Sequence, residues 1–250
     1  MTFAPVGIRC PDHANVGAPK PSAQRTVRHA RGRAAATTAP ATLTLVALNV
    51  LIYLITVSQG GGLNSPGGEL FQRGALVGIF VADGDWYRLV TAMFLHASLM
   101  HLLFNMLALW WLGSIVEQAV GTWRFLMIYF VSGIAGSAGA LLLSGPLAVT
   151  VGASGAIFGI LGALVVLEWR HTGTIMGPAL TLIVLNLAIT FTIPNISIGG
   201  HLGGLIGGVL ATLALDRTRS AGNVALGPAL VALVGVASVV LAYFRVENYL

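Results

Sequence analysis

The chain has 250 residues, of which 56% are hydrophobic and 8% charged, whereas soluble globular domains carry roughly 25% charged residues. That composition excludes a water-soluble domain and points to a membrane protein. Its formal net charge of +5 is explained by membrane topology and attraction to anionic lipid, so no nucleic-acid partner is expected. Cys10 is the only cysteine, which excludes an intramolecular disulfide or a thiolate-rich metal cluster.

Residues 1–39, rich in Ala, Pro, Thr and Arg, offer nothing to bury and read as a flexible basic cytoplasmic tail. No short hydrophobic segment with a small-residue cleavage site stands at the start, so no signal peptide is expected. Apolar runs follow at 40–58, 98–117, 122–144, 154–169, 175–193, 200–216 and 225–244, each near the roughly 20 residues that a helix needs to cross the bilayer core. Lys and Arg favour the cytoplasmic side. With the N-terminus inside, Arg9, Lys20, Arg25, Arg28, Arg31, Arg33, Arg124, Arg170, Arg217 and Arg219 are all cytoplasmic, leaving Arg73, Arg88 and Arg245 outside. The long outer loop, 59–97, opens on Gly60-Gly61-Gly62. Its Phe71, Leu76, Ile79, Phe80, Trp86 and Tyr87 suit a segment lying in the membrane interface. The later loops are short, which makes the helices antiparallel neighbours in a bundle.

Polar groups are costly in hydrocarbon, so those that interrupt the apolar runs carry the information. They are His96, His101 and Asn105 on the second run, Ser154 on the fourth and His201 on the sixth. Ser154 precedes Arg170 by sixteen residues, as His201 precedes Arg217 and His101 precedes Glu117. At a rise of about 1.5 Å per residue, all three sit about 24 Å from the inner boundary, a common level below the outer face. The fourth and sixth helices are then expected to be too short to span, with water reaching their outer ends.

A serine hydroxyl needs a base, and histidine is the usual one. Gly155, Gly159 and Gly162 on the fourth helix, with Gly203, Gly207, Gly204 and Gly208 on the sixth, form small-residue faces that let the two approach. His101 and Asn105, at i and i+4, share one helical face as donors for an oxyanion, and the Ser154 amide at a helix N-terminus adds a third. No Asp or Glu lies mid-span to orient the imidazole, so the pair is expected to act as a dyad.

These residues resemble the rhomboid family of intramembrane serine proteases. His96-Ala-Ser-Leu-Met-His101-Leu-Leu-Phe-Asn105 is similar to its second-helix motif, Gly152-Ala-Ser154-Gly155 to its nucleophile motif and Gly200-His201-Leu-Gly-Gly to its base motif. The resemblance implies Ser154 as nucleophile, His201 as base and then acid, and His101 with Asn105 as oxyanion stabilisers. It makes Arg88, in Trp86-Tyr87-Arg88, and Glu117 structural, and puts the ring of Phe158 against the catalytic imidazole. It also implies a cofactor-free, metal-free endopeptidase that cleaves transmembrane protein substrates near the outer face. Cys10-Pro-Asp-His13 is faintly similar to a zinc-box tail of some bacterial relatives, but one cysteine cannot build it.

The expected fold is an all-α polytopic membrane helix bundle: a six-helix core over 40–216, then a cytoplasmic loop and a seventh transmembrane helix over 217–250. Twelve Arg to one Lys, with much Ala and Gly, favours a GC-rich bacterial source and its plasma membrane. A transporter is disfavoured by the lack of mid-span charges and of inverted halves. An inactive, client-binding relative is disfavoured because both Ser154 and His201 are kept.

Overall fold

The computed structural model describes residues 2–4, 7–9, 38–194, 196–220 and 225–249. It divides into two units, Met1–Thr38 and Ala39–Leu250. The first holds an antiparallel pair of short strands, β1 (Thr2–Ala4) and β2 (Gly7–Arg9). Nearly all of the remaining tail, where a flexible segment was expected, lies outside the described residues.

The second unit is helical. A helix stands at each of the seven apolar runs: α1 (Pro40–Gln59), α5 (Leu99–Val120), α6 (Thr122–Leu143), α7 (Ser154–Thr172), α8 (Pro178–Thr192), α9 (Ile198–Ser220) and α10 (Leu226–Val246). Three short helices, α2 (Gly68–Gly74), α3 (Gly78–Ala82) and α4 (Arg88–Thr91), fold the loop after α1. Among the described residues, five helices are long and apolar enough to cross a membrane, namely α1, α5, α6, α9 and α10. With 15 residues, α8 is about 23 Å long, short of a core of about 30 Å. The last turns of α7 carry Glu168 and Arg170. The expectation that the helix of His201 is too short is corrected: α9 starts at Ile198 and is apolar over 21 residues to Thr218, so His201 lies one turn inside it.

Lipid is as apolar as leucine, so burial alone does not hold such a bundle together; close packing and satisfied polar groups do. The central helix is α7, buried without interruption from Ala156 to Ala163. It meets α9 and α6 along glycines. A Cβ on Gly162 would come 2.7 Å from the Leu205 carbonyl oxygen of α9, and one on Gly136 of α6 would come 3.1 Å from Gly155 Cα of α7. At the far end of the pair, Arg170 of α7 bridges Asp216 of α9 at 2.7 Å.

Two buried charges fix the frame around this trio. Glu117 near the end of α5 accepts the Ala41 and Thr42 amides at 3.0 and 2.8 Å, and the Thr42 and Thr122 hydroxyls at 2.8 Å. One carboxylate thus caps the start of α1, where the helix dipole favours negative charge, and reaches the first residue of α6. Glu117→Ala would strand these donors and is expected to cost about 3 kcal/mol, read as a lower thermal midpoint in detergent with the bundle still folded at 25 °C. Arg88 donates to Asp85 at 2.9 Å and to the Gln72 and Ala75 carbonyls at 2.8 and 2.7 Å, and lies over the Phe80 ring. It is the staple of the loop between α1 and α5.

That loop is more folded than an interfacial segment needs to be. Leu76, Val81 and Leu89 are buried, while Phe80 and Tyr87 are exposed. Strand β3 (Leu76–Val77) pairs antiparallel with β4 (Val149–Thr150), which leads into α7. The seventh helix completes the same end. Tyr249, just past α10, donates to the Leu141 and Ser144 carbonyls at the end of α6 at 2.9 and 3.1 Å, and Tyr243 stacks on Trp86 of the loop.

Candidate active site

Ser154 opens α7 after a turn that the loop between α1 and α5 holds in place. The Gly152 amide donates to the Ala92 carbonyl at 2.9 Å, and β4 is paired two residues earlier. Gly152 has φ +126°, a conformation that side chains rarely adopt. A Cβ there would also lie 2.8 Å from Cε1 and Nε2 of His101. The imidazole of His101 therefore lies against the backbone two residues before the serine.

His101 itself is fixed from both sides. Ser98 caps α5 by accepting the His101 amide at 3.2 Å, and His101 Nδ1 accepts the Ala97 amide at 3.4 Å. A neutral ring that accepts at Nδ1 carries its proton on Nε2, the atom facing Gly152. One turn on, the buried Asn105 donates one Nδ2 proton to the His101 carbonyl at 2.9 Å and keeps the other free. His96 lies edge-on to His101, with ring centroids 5.1 Å apart, and is fully buried. It packs there behind His101 as part of the wall of the site.

His201 enters from α9, whose first turn is capped by Ser197: the Gly200 amide donates to its hydroxyl at 3.0 Å. The imidazole is 8% exposed and lies face to face with Phe158, centroids 4.1 Å apart and planes 17° from parallel. Phe158 is one turn along α7 from Ser154. A Cβ on Gly155 would lie 3.2 Å from the Gly200 carbonyl oxygen, and one on Gly204 would overlap the carbonyl of Gly155. The residue after the serine thus touches the residue before the histidine. Among the described residues no hydrogen bond joins Ser154 to His201; such contacts are often long before substrate arrives. On its other side, Nδ1 of His201 lies 2.7 Å from Thr190 Oγ1 of α8.

Ser154, His201, His101 and Asn105 are therefore gathered at one end of the bundle, from α7, α9 and α5. Thr190 joins them although its sequence context marks it only as a β-branched residue in an apolar run. A cleft of about 320 Å³, lined by Trp123, Arg124, Leu215 and Pro228 among others, includes none of them. An activatable hydroxyl, an imidazole held on one face and N–H donors beside it form a constellation suited to acyl transfer.

A sequence model of the rhomboid domain matches residues 83–218, more than half of the chain. The chain belongs to the rhomboid family. The match runs from the loop between α1 and α5 to near the end of α9 and leaves α1 and α10 outside. The Rhomboid protease GluP of Bacillus subtilis (strain 168) is 39% identical over 183 residues, 72% of this chain and 35% of that protein. RHOMBOID-like protein 5 of Arabidopsis thaliana is 36% identical over 146 residues, 56% of this chain and 47% of the plant protein. Rhomboid protease AarA of Providencia stuartii is 36% identical over 143 residues, 50% of each chain. This rhomboid thus spans about a third to a half of the length of these relatives. Since they come from bacteria and a plant, membership does not by itself assign a bacterial source.

Proposed function

We propose that this rhomboid is an intramembrane serine endopeptidase that hydrolyses transmembrane protein substrates near the outer membrane face. Ser154 Oγ attacks the scissile carbonyl carbon while Nε2 of His201 takes its proton. The tetrahedral oxyanion is met by Nε2–H of His101, the free Nδ2–H of Asn105 and the backbone N–H of Ser154. His201 returns the proton to the leaving amine, and water then hydrolyses the acyl-serine ester by the same path in reverse. No cofactor or metal enters these steps.

The observation that carries this reading is the glycine contact between α7 and α9, in which Gly155, next to Ser154, lies against Gly200, next to His201. The stack of Phe158 on His201 adds to it by fixing the imidazole plane. The proton on His101 Nε2, set by the Ala97 amide, supports the oxyanion role. The same reading has the chain crossing the membrane seven times, six helices of core and a seventh after them, with the N-terminus and most of the Arg side chains cytoplasmic. Twelve Arg to one Lys supports a bacterial plasma membrane.

The test is labelling of detergent-solubilised protein by a serine-directed fluorophosphonate. Wild type is expected to label, and Ser154→Ala and His201→Ala are not; equal labelling of all three removes the protease reading. Asn105→Ala is expected to lower turnover by about ten- to a thousandfold, the loss of one oxyanion donor, with thermal stability retained. An unchanged rate would leave Asn105 with only its bond to the His101 carbonyl.

A further inference from the structure

We infer that Thr190 is the positioning residue for His201, a neutral orienter in place of the missing carboxylate that keeps the imidazole proton on Nδ1 and its lone pair on Nε2. The inference rests on the assignment of His201 as general base and adds a third side chain to it.

The argument is a count of protons. The Thr190 hydroxyl has one proton and two neighbours at 2.7 Å, the carbonyl oxygen of Asn186 and Nδ1 of His201. A carbonyl only accepts, so the bond to Asn186 takes the hydroxyl proton. The contact to His201 is then favourable only if Nδ1 carries a proton and donates it to the oxygen lone pair. The other assignment, a hydroxyl donating to Nδ1, would leave two oxygen acceptors 2.7 Å apart with no proton between them. A neutral ring protonated at Nδ1 has its lone pair on Nε2, the form that a serine general base requires.

The surroundings preserve this assignment. Thr190 is 3% exposed and His201 8%, so competition from water is weak and each hydrogen bond counts for more. Phe158 covers one face of the ring and offers no acceptor. Thr190 is also the only polar residue buried on α8, whose other buried residues are Ala179 and Ile183. Its hydroxyl ties α8 to α9. When Ser154 is activated, its proton goes to Nε2, while the Nδ1 proton stays on Nδ1, donated to Thr190 Oγ1, and the Thr190 proton stays on its own oxygen, donated to the Asn186 carbonyl. The imidazolium is thus held at Nδ1 without a buried carboxylate, which would be costly at this depth.

The test compares Thr190→Val, which keeps the branched shape and removes the hydroxyl, with Thr190→Ser, which keeps the hydroxyl and removes a methyl. Thr190→Val is expected to lower kcat by about ten- to a hundredfold, below the loss for a wrong-tautomer carboxylate variant. KM should stay within about twofold, because substrate binding is untouched. Thr190→Ser should recover most of kcat. A readout without turnover uses protein labelled with ¹⁵N-histidine in the Ser154→Ala background, with His201→Gln to assign the signal. His201 is expected to show the Nδ1–H pattern, and Thr190→Val to shift it towards Nε2–H or a mixture. An Nε2–H ring with Thr190 intact, or a Thr190→Val enzyme with wild-type kcat, overturns the inference. Because the nitrogen spectrum does not depend on activity, failure of the protease reading is seen separately, in the fluorophosphonate labelling of wild type.

Discussion

Ser154→Ala is expected to lower turnover of a single-span substrate in proteoliposomes by about 10⁴- to 10⁶-fold, His201→Ala by a similar factor, and the double variant by no more than either alone. The hydroxyl is a poor nucleophile without the imidazole, and the imidazole has no proton to take without the hydroxyl, so the two act as one unit. What survives is the part that needs neither: substrate alignment and the N–H donors of His101 and Asn105, worth on the order of 10³-fold over water. Losses that multiplied would mean that the two residues act in different steps. Turnover kept in Ser154→Ala would place the nucleophile elsewhere. The experiment should be run below saturation as well as at it, because kcat/KM reports the free enzyme and kcat the bound one.

Much of this arrangement was legible in the sequence because membrane physics makes polar residues conspicuous. Ser154, His201, His101 and Asn105 stand out against hydrocarbon, and the glycine faces of α7 and α9 follow from their spacing. Other parts were silent for physical reasons. The β3–β4 pair is two residues per strand, too short for any alternation to register. Gly136 and Gly139 of α6 pack against α9 at least as closely as Gly155 does; the only polar residues near them are the small Ser132 and Ser137, which do not interrupt an apolar run as an imidazole does. The expected length of α9 was counted from His201 to Arg217, whereas the helix begins at Ile198, where the missing side chain of Gly199 lets it start against the Gly139 carbonyl of α6. Thr190 is the hardest case. It has the same sequence character as Thr181 and Thr192 on its own helix, both exposed, and only its position beside His201 separates it from them.

The packing that brings the helices together yields the second large effect, from Gly204→Ala. A Cβ on Gly204 would overlap the carbonyl oxygen of Gly155, and that oxygen belongs to the backbone of α7, with no flexible side chain to yield. The conflict can be relieved only by moving α9 away from α7, by on the order of 1 Å. Overpacking of this kind costs about 1–3 kcal/mol, so a lower thermal midpoint is expected. The larger consequence is chemical. Gly204 lies three residues from His201 on one face of α9, and Gly155 is next to Ser154, so the displacement falls directly on the distance between hydroxyl and imidazole. A misplacement of about 1 Å is expected to reduce turnover by about a hundredfold, even at temperatures where the variant is fully folded. Gly235→Ala on α10 is the control, since its Cβ would meet only Val131 Cγ2 at an ordinary 3.7 Å; both stability and turnover should hold. If Gly204→Ala lost stability but kept full turnover, the spacing of α7 and α9 would not be what sets the approach of Ser154 to His201. A loss of turnover larger than the change in stability accounts for would show that close helix contact is part of the catalytic geometry as well as of the fold.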